Sequence, residues 1–347
     1  MRTIRPIVSL ILLALLLLQG CGPRGGRVPP TVAEPSLPEV LPAPPDTVTV
    51  RIIGDVMMHR GQIEVARTRA RNDSSTREFD FTPFLDSIAP ALREADLAIA
   101  GMEFTMAGEP YTGYPAFSAP DAYADYMADC GIDVFLMANN HILDRGVRGL
   151  KRTLWYYGLM ESEDRIRYTG CAEPGDTLHN PLLVQVKDQT IGIVNFTYGT
   201  NVYPELDHYV VCHQNASVLQ LVSKAKERGA DFVLVCPHWG EEYALAHNAQ
   251  QEKWAIALAQ AGADAIVGAH PHVVQDAARI TTTDGRVVPV YYSIGNAVSN
   301  MSAPDTQDEL MVTLCISEGK LVSISHSWMH CHLPNQLTDS YTTVFLN

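Results

Sequence analysis

An α/β fold is predicted by three observations in the sequence. Short β-branched or apolar runs alternate with helical stretches over most of the 347 residues, the signature of strands crossed over by helices. Hydrophobic residues make up 46% and charged residues 18%, enough apolar material for a large core. Polar residues of metal-ligand type follow the strands directly: Asp55, Glu103, Asn140-His141, His238, His270 and His272. In an open α/β sheet the carboxyl ends of the strands form the ligand-binding edge.

The elements read in order as follows. Val48–Ile53 is β-branched and predicts a strand that ends at Gly54-Asp55. Pro83–Glu94 reads as a helix with proline near its start. Leu97–Ala100 is a short buried strand, and Pro120–Cys130 a helix stopped by Gly131. Val134–Ala138 is a strand ended by Asn139-Asn140-His141, followed by a helix over Val147–Tyr157 that Gly158 should stop. Strands are predicted around Tyr168, over Leu182–Val186 and over Ile191–Phe196. Ala216–Arg228 is helical, Phe232–Cys236 a strand ended by Pro237-His238, Gln250–Gln260 a helix, and Ala265–Val267 a strand ended by Gly268-Ala269-His270. Four more strands close the chain: Arg279–Thr282, Val288–Ile294, Leu310–Ile316 and Leu321–His326. Strands without helices there predict a second sheet, or antiparallel strands added to the first.

The N-terminus reads as an address. Arg2 and Arg5 precede a short apolar run, Ile7–Leu18, below the roughly 20 residues a membrane-spanning helix needs. Gly20-Cys21 after this run resembles a bacterial lipoprotein cleavage site. Residues 1–20 are therefore expected to be a lipoprotein signal peptide, with Cys21 the lipidated residue. Residues 21–46 would form a proline-rich, PPII-like tether, and 47–347 the folded domain. The expected location is the outer face of a bacterial membrane, in the periplasm or at the cell surface. The six remaining cysteines show no CxxC spacing, so no thiolate-rich metal site is suggested.

Charge narrows the partners. The formal net charge is −14, and loss of Arg2 and Arg5 with the leader takes it to −16. Nucleic-acid binding, carried by Lys and Arg on phosphates, is excluded on this balance. An anionic substrate is not, because a bound metal reverses the local field.

Each strand-end residue has an ordinary explanation alone: a turn cap for Asp55, a core hydrogen bond for His238, loop polarity for His270-Pro271-His272. All of them together point to a divalent metal. Imidazole and carboxylate donors suit Mn, Zn or Fe. One such ion, or two about 4 Å apart, would activate water and stabilise charge on a phosphoryl or carbonyl oxygen.

The motifs carry a resemblance. Gly54-Asp55-Val56-Met57-Met58-His59-Arg60, Ala138-Asn139-Asn140-His141-Ile142-Leu143-Asp144, His238-Trp239-Gly240, Gly268-Ala269-His270-Pro271-His272 and Ser293-Ile294-Gly295-Asn296 resemble the CapA family of capsule and poly-γ-glutamate synthesis. That family is similar to the metallo-dependent phosphatases. The resemblance implies a four-layer αββα sandwich, with two mixed sheets flanked by helices. It implies Asp55, Glu103 and His272 as ligands of a first metal, Glu103 bridging, with Asn140, His238 and His270 on a second. His141 would be the general acid, Asp144 its orienting partner, and Arg60 and Asn296 substrate contacts or loop-fixing residues. Three places depart from the pattern. Met57 stands where phosphatases carry a histidine, His59 stands where CapA proteins usually carry a glycine, and Gly101-Met102 precedes Glu103 in place of Asn-Leu.

Three functions compete at this level. One is an anchored metal-dependent hydrolase acting on a phosphoester of an envelope polymer or its precursor. Another is a non-catalytic protein that binds the polymer and assists a membrane polymer synthase. A third is a metal-dependent enzyme acting on the polymer's amide bonds.

Overall fold

Alternation within the strands explains the layers. The computed structural model describes residues 46–346, apart from 74–75, 174–179, 203–208 and 214–217. The leader, Cys21 and nearly all of the tether lie outside the described residues. Among those described, no helix is long and apolar enough to cross a membrane.

The chain order is β1 (Val48–Val56), α1 (Arg60–Asn72), α2 (Ala89–Glu94), β2 (Leu97–Met102), α3 (Asp121–Asp129), β3 (Val134–Leu136), α4 (Gly146–Ser162) and β4 (Arg167–Thr169). It continues with β5 (Leu182–Val186), β6 (Gln189–Thr197), α5 (Val218–Glu227), β7 (Phe232–His238), α6 (Ala249–Ala261) and β8 (Ala265–Val267). The remaining strands are β9 (Ala277–Thr281), β10 (Val287–Tyr291), β11 (Asn296–Val298), β12 (Asp308–Ser317), β13 (Lys320–His332) and β14 (Thr342–Phe345).

These strands form two mixed sheets. One has eight strands in the order β14-β13-β12-β1-β2-β3-β4, with β11 also paired to β1. The other has six, β5-β6-β7-β8-β10-β9. Strands β1 to β4 run parallel, as do β6, β7, β8 and β10. The late strands split between the sheets. β12, β13 and β14 extend the first antiparallel, and β9 and β10 extend the second.

The central strands β1, β2, β7 and β8 are buried on both faces and mostly apolar, whereas β5, β9 and β13 are partly exposed. Val48, Val50, Ile52, Leu97 and Ile99 meet Ile191, Ile193, Phe232, Leu234 and Ala265 between the sheets. Their neighbours Ile53, Ala98, Ala100 and Phe135 pack outward on Ile63 of α1, Leu92 of α2, Tyr123 and Met127 of α3, and Leu150 and Tyr157 of α4. Val194, Val233, Val235 and Ile266 pack on Leu221 and Val222 of α5 and Ala255 and Leu258 of α6. Helix, sheet, sheet and helix are thus separated by three cores, the αββα order that the resemblance implied.

Three local expectations are corrected. The helix expected over Pro83–Glu94 is α-helical only from Ala89, with Pro90 in its first turn. A proline further inside would remove a hydrogen bond and clash with the preceding turn. The helix expected to stop at Gly158 runs on to Ser162, because Tyr157 and Met160, one turn apart, are both buried. Helix α1 has no counterpart among the expected elements. Its arginine-rich sequence buries only Gln62, Ile63, Ala66 and Ala70, a faint apolar stripe.

Candidate metal centre

The carboxyl ends of β1, β2 and β3 from one sheet and β7 and β8 from the other meet at one edge of the sandwich. At the end of β1 the pairing with β2 shifts register between Ile53 and Asp55, a bulge that resets side-chain alternation just before Asp55. Gly54 is required there, since a Cβ would collide with the Gly295 carbonyl. Asn195 of β6 links the two sheets, accepting from the Ala138 N–H at 2.7 Å and donating to the Cys236 carbonyl at 2.9 Å. Asn139 shapes the turn after β3, donating to the Met102 carbonyl at 2.8 Å and accepting from the His141 N–H at 3.0 Å.

This framework brings together all six residues expected as metal ligands. Asp55, Glu103, Asn140, His238, His270 and His272 are all buried. Glu103 lies at the centre. Its Oε1 is 3.7 Å from His238 Nε2 and 4.0 Å from His141 Nε2, and its Oε2 is 3.8 Å from His272 Nδ1. Asp55 Oδ1 stands 3.5 Å from His238 Nδ1, and Asp55 Oδ2 accepts from the His270 backbone N–H at 2.9 Å. His238 Nε2 and Asn140 Oδ1 are 2.8 Å apart. The Glu103 separations of 3.7 Å from His238 and 3.8 Å from His272 suit donors sharing one ion at bonds of about 2.1 Å.

Two donor groups fit an ion on this spacing: Glu103 with His238 and His270, and Asp55 with Glu103 and His272. The fit is supported by atoms that would otherwise be left stranded. Asp55 Oδ1, both oxygens of Glu103 and His270 Nδ1 are buried without a hydrogen-bond partner. A cluster of buried orphans is costly unless something binds them. The backbone reports a similar constraint. His270 and His272 have φ of 103° and 60°, left-handed values that a non-glycine side chain disfavours and that concentrate at functional sites.

Electrostatics agree with that chemistry. Burial, then the charges of Asp55, Glu242 and Asp144, pushes the Glu103 carboxyl well above its ordinary range. Burial, then His238, His272 and His141, pushes His270 well below its own. His272 is lowered too, by burial against the opposing pull of Asp55 and Asn296. Neutral imidazoles are the ligand form, and a cation would draw the proton from Glu103.

His141 and Asp144 form a pair beside the ligands. His141 Nδ1 is 2.8 Å from Asp144 Oδ2, which also accepts from the Phe117 N–H at 2.9 Å. The imidazole lies edge-on against Phe117, with centroids 4.7 Å apart. Asn296 is fully buried, its Oδ1 2.9 Å from His272 Nδ1, so it orients that ring. Arg60 sits at the exposed start of α1 and pairs with Glu64 at 2.7 Å. Met57 packs into the helix-side core. His59 caps α1 through Gln62, and burial pushes its imidazole down to about 4.

Sequence reading overlooked Glu242. Its carboxylate forms a third donor group with His270 and His272, and it alone of the three groups' members is exposed. Its one signal was position, four residues after His238 in His-Trp-Gly-Glu-Glu.

A buried cradle of carboxylates and imidazoles at the strand-end edge of an αββα sandwich defines a metallophosphatase-like protein. Residues 49–301 match the family described as bacterial capsule synthesis protein PGA_cap, and the chain belongs to that family. It is 28% identical over 279 residues to a capsule biosynthesis protein CapA of Bacillus anthracis, a match covering 77% of this chain and 63% of that one. The chain thus spans less than two thirds of that relative. It is 27% identical over 288 residues to a PGA biosynthesis protein CapA of Bacillus subtilis (strain 168), covering 79% and 69%. A solved structure of a hypothetical protein from Thermus thermophilus superposes with a TM-score of 0.48 at 16% identity, over 81% of this chain and 98% of that one.

Proposed function

We propose that the protein is a metal-dependent hydrolase of the phosphoester class acting in capsule or poly-γ-glutamate metabolism. The observation that carries this reading is the set of buried, unpartnered donors from both sheets around Glu103. Asp55, Glu103, Asn140, His238, His270 and His272 would hold one or two divalent ions. Bound there, a divalent ion lowers the pKa of water toward neutrality and polarises a phosphoryl oxygen.

The chain's own groups supply the rest. Glu103 delivers its carboxylate from the floor of the site, and Asn296 sets the angle of His272. Asp144 holds the His141 Nδ1–H and leaves Nε2 turned toward Glu103. When the ring is protonated, the imidazolium so placed can give its Nε2 proton to the leaving oxygen of an ester. The substrate's anionic character suits the site only with the ions in place, since Asp55, Glu103 and Glu242 alone would repel it.

The test is hydrolysis of a chromogenic phosphodiester with Mn²⁺ by the full chain. Activity is expected, and His238→Ala and His272→Ala are each expected to abolish it. Full activity in both variants, or after EDTA treatment, would refute the reading. Export and anchoring at Cys21 belong to the same proposal, supported by the basic, apolar and small-residue order of residues 1–21. Lipid labelling that vanishes in Cys21→Ala is the expected result; labelling that persists contradicts it.

A further inference from the structure

We propose that Glu242 is a solvent-side ligand of the metal centre, and that the ion it helps to hold is the exchangeable one. The inference rests on the metal-centre reading above. It starts from an asymmetry among the three donor groups. Two are wholly buried and share Glu103, whereas the third joins Glu242 to His270 and His272, with all donor atoms within 4.8 Å of one another. His270 belongs to one buried group and His272 to the other. Glu242 therefore reaches, from the mouth, the two imidazoles that the buried groups divide between them.

The loop that carries Glu242 is fastened to the backbone between the same two histidines. The Tyr243 N–H donates to the Pro271 carbonyl at 2.8 Å, directly between His270 and His272. Tyr243 adopts φ of 66° and Gly240 φ of 101°, two left-handed residues bracketing Glu241 and Glu242. A Cβ on Gly240 would press into the Gln251 amide. Gln251 donates to Gln275 Oε1 at 2.8 Å, and Gln275 Nε2 donates to the carbonyls of Ala244 at 2.9 Å and Ala246 at 3.2 Å. Strain of this kind persists where surrounding structure over-determines it. The outcome is an exposed carboxylate aimed at two buried imidazoles.

Exposure decides the role. A buried carboxylate such as Glu103 has no alternative partner and stays with its ion. An exposed one has water as a ready substitute, so its bond to an ion is easily surrendered to an incoming oxygen anion. Loss of one anionic ligand weakens hard-cation binding by a large factor without removing the site.

Calorimetric titration of the full chain with Mn²⁺ alone tests this, comparing wild type with Glu242→Gln and Glu241→Gln. Glu241 is the exposed neighbour of Glu242 and belongs to none of the donor groups. Glu242→Gln is expected to weaken the weaker binding step by about tenfold or more and to leave any tighter step in place. Glu241→Gln is expected to leave both unchanged. If wild type binds in a single step, weakening of that step by Glu242→Gln alone supports the proposal equally. Titration of Glu242→Gln indistinguishable from wild type overturns the proposal while sparing the metal centre. Equal weakening by Glu241→Gln also overturns it, by reducing the effect to general surface charge. No Mn²⁺ binding by wild type removes the underlying metal-centre reading instead. Far-UV circular dichroism of each variant checks that the fold is kept.

Discussion

Glu103 and Glu309 are both fully buried carboxylates with no hydrogen-bonded partner on either oxygen, but only Glu103 lies in a donor group. Burial, then the charge of Asp55, raises Glu309 well above its ordinary 4.5, and the nearby Gly54 backbone only partly offsets this. A carboxyl raised on folding contributes its stability below the unfolded value and loses it as pH climbs toward the folded one. Across that window the loss is about 1.4 kcal/mol per pH unit. Glu309→Gln should therefore raise the melting temperature more at pH 8 than at pH 5; an equal shift at both would show that Glu309 is not the strained group. Asp144→Asn should lower kcat by about 10²- to 10⁴-fold, the usual range for a positioned acid–base group. An unchanged kcat would remove that pair from the chemistry. At this scale the six strand-end donors were legible because each breaks an apolar run with a polar residue. Glu242 was not, because an exposed glutamate in a loop looks like any solvated charge.

Loops and caps hold the donors at the scale of elements. Asn248 caps α6, accepting from the N–H groups of Gln250 at 3.0 Å and Gln251 at 2.9 Å, and the Gln251 side chain accepts in return from the Asn248 N–H at 3.0 Å. Asn248→Ala should cost about 1 kcal/mol, read as a lower urea midpoint. Because Gln251 also anchors Gln275, the variant should show faster amide exchange in residues 240–247. Exchange confined to the first turn of α6 would mean that cap and loop are independent. Gly54→Ala should be far more damaging, since the new methyl meets the Gly295 backbone where β1 and β11 pair; a folded variant of near wild-type stability would contradict the packing described. Element existence was largely legible from β-branched runs and helix stops. The boundaries were less so, because burial of Met160 overrides Gly158 and the polar face of α1 conceals its stripe.

For the whole molecule, the donors are divided by layer. Asp55, Glu103 and Asn140 lie at or just past the carboxyl ends of strands of one sheet, and His238, His270 and His272 at or past those of the other. Any ion bound by both sets ties the two sheets together. At a free metal concentration about 100 times Kd, binding to the folded state alone adds about 2.7 kcal/mol. EDTA should accordingly lower the melting temperature, and Mn²⁺ should restore it. The α/β class was legible from alternation, whereas the pairing of two sheets was not. A strand apolar on both faces reads the same whether helices or a second sheet cover it, so the layer order came from the resemblance.

Donors from both sheets converge around Glu103, and a cation held between them is what the proposed function requires. Anomalous diffraction at the manganese edge, from crystals of the full chain soaked in Mn²⁺, tests it most directly. A peak bonded to Glu103 and to residues from both sheets is expected. A fully soaked crystal with no peak there, or with manganese bound only elsewhere on the surface, would contradict it.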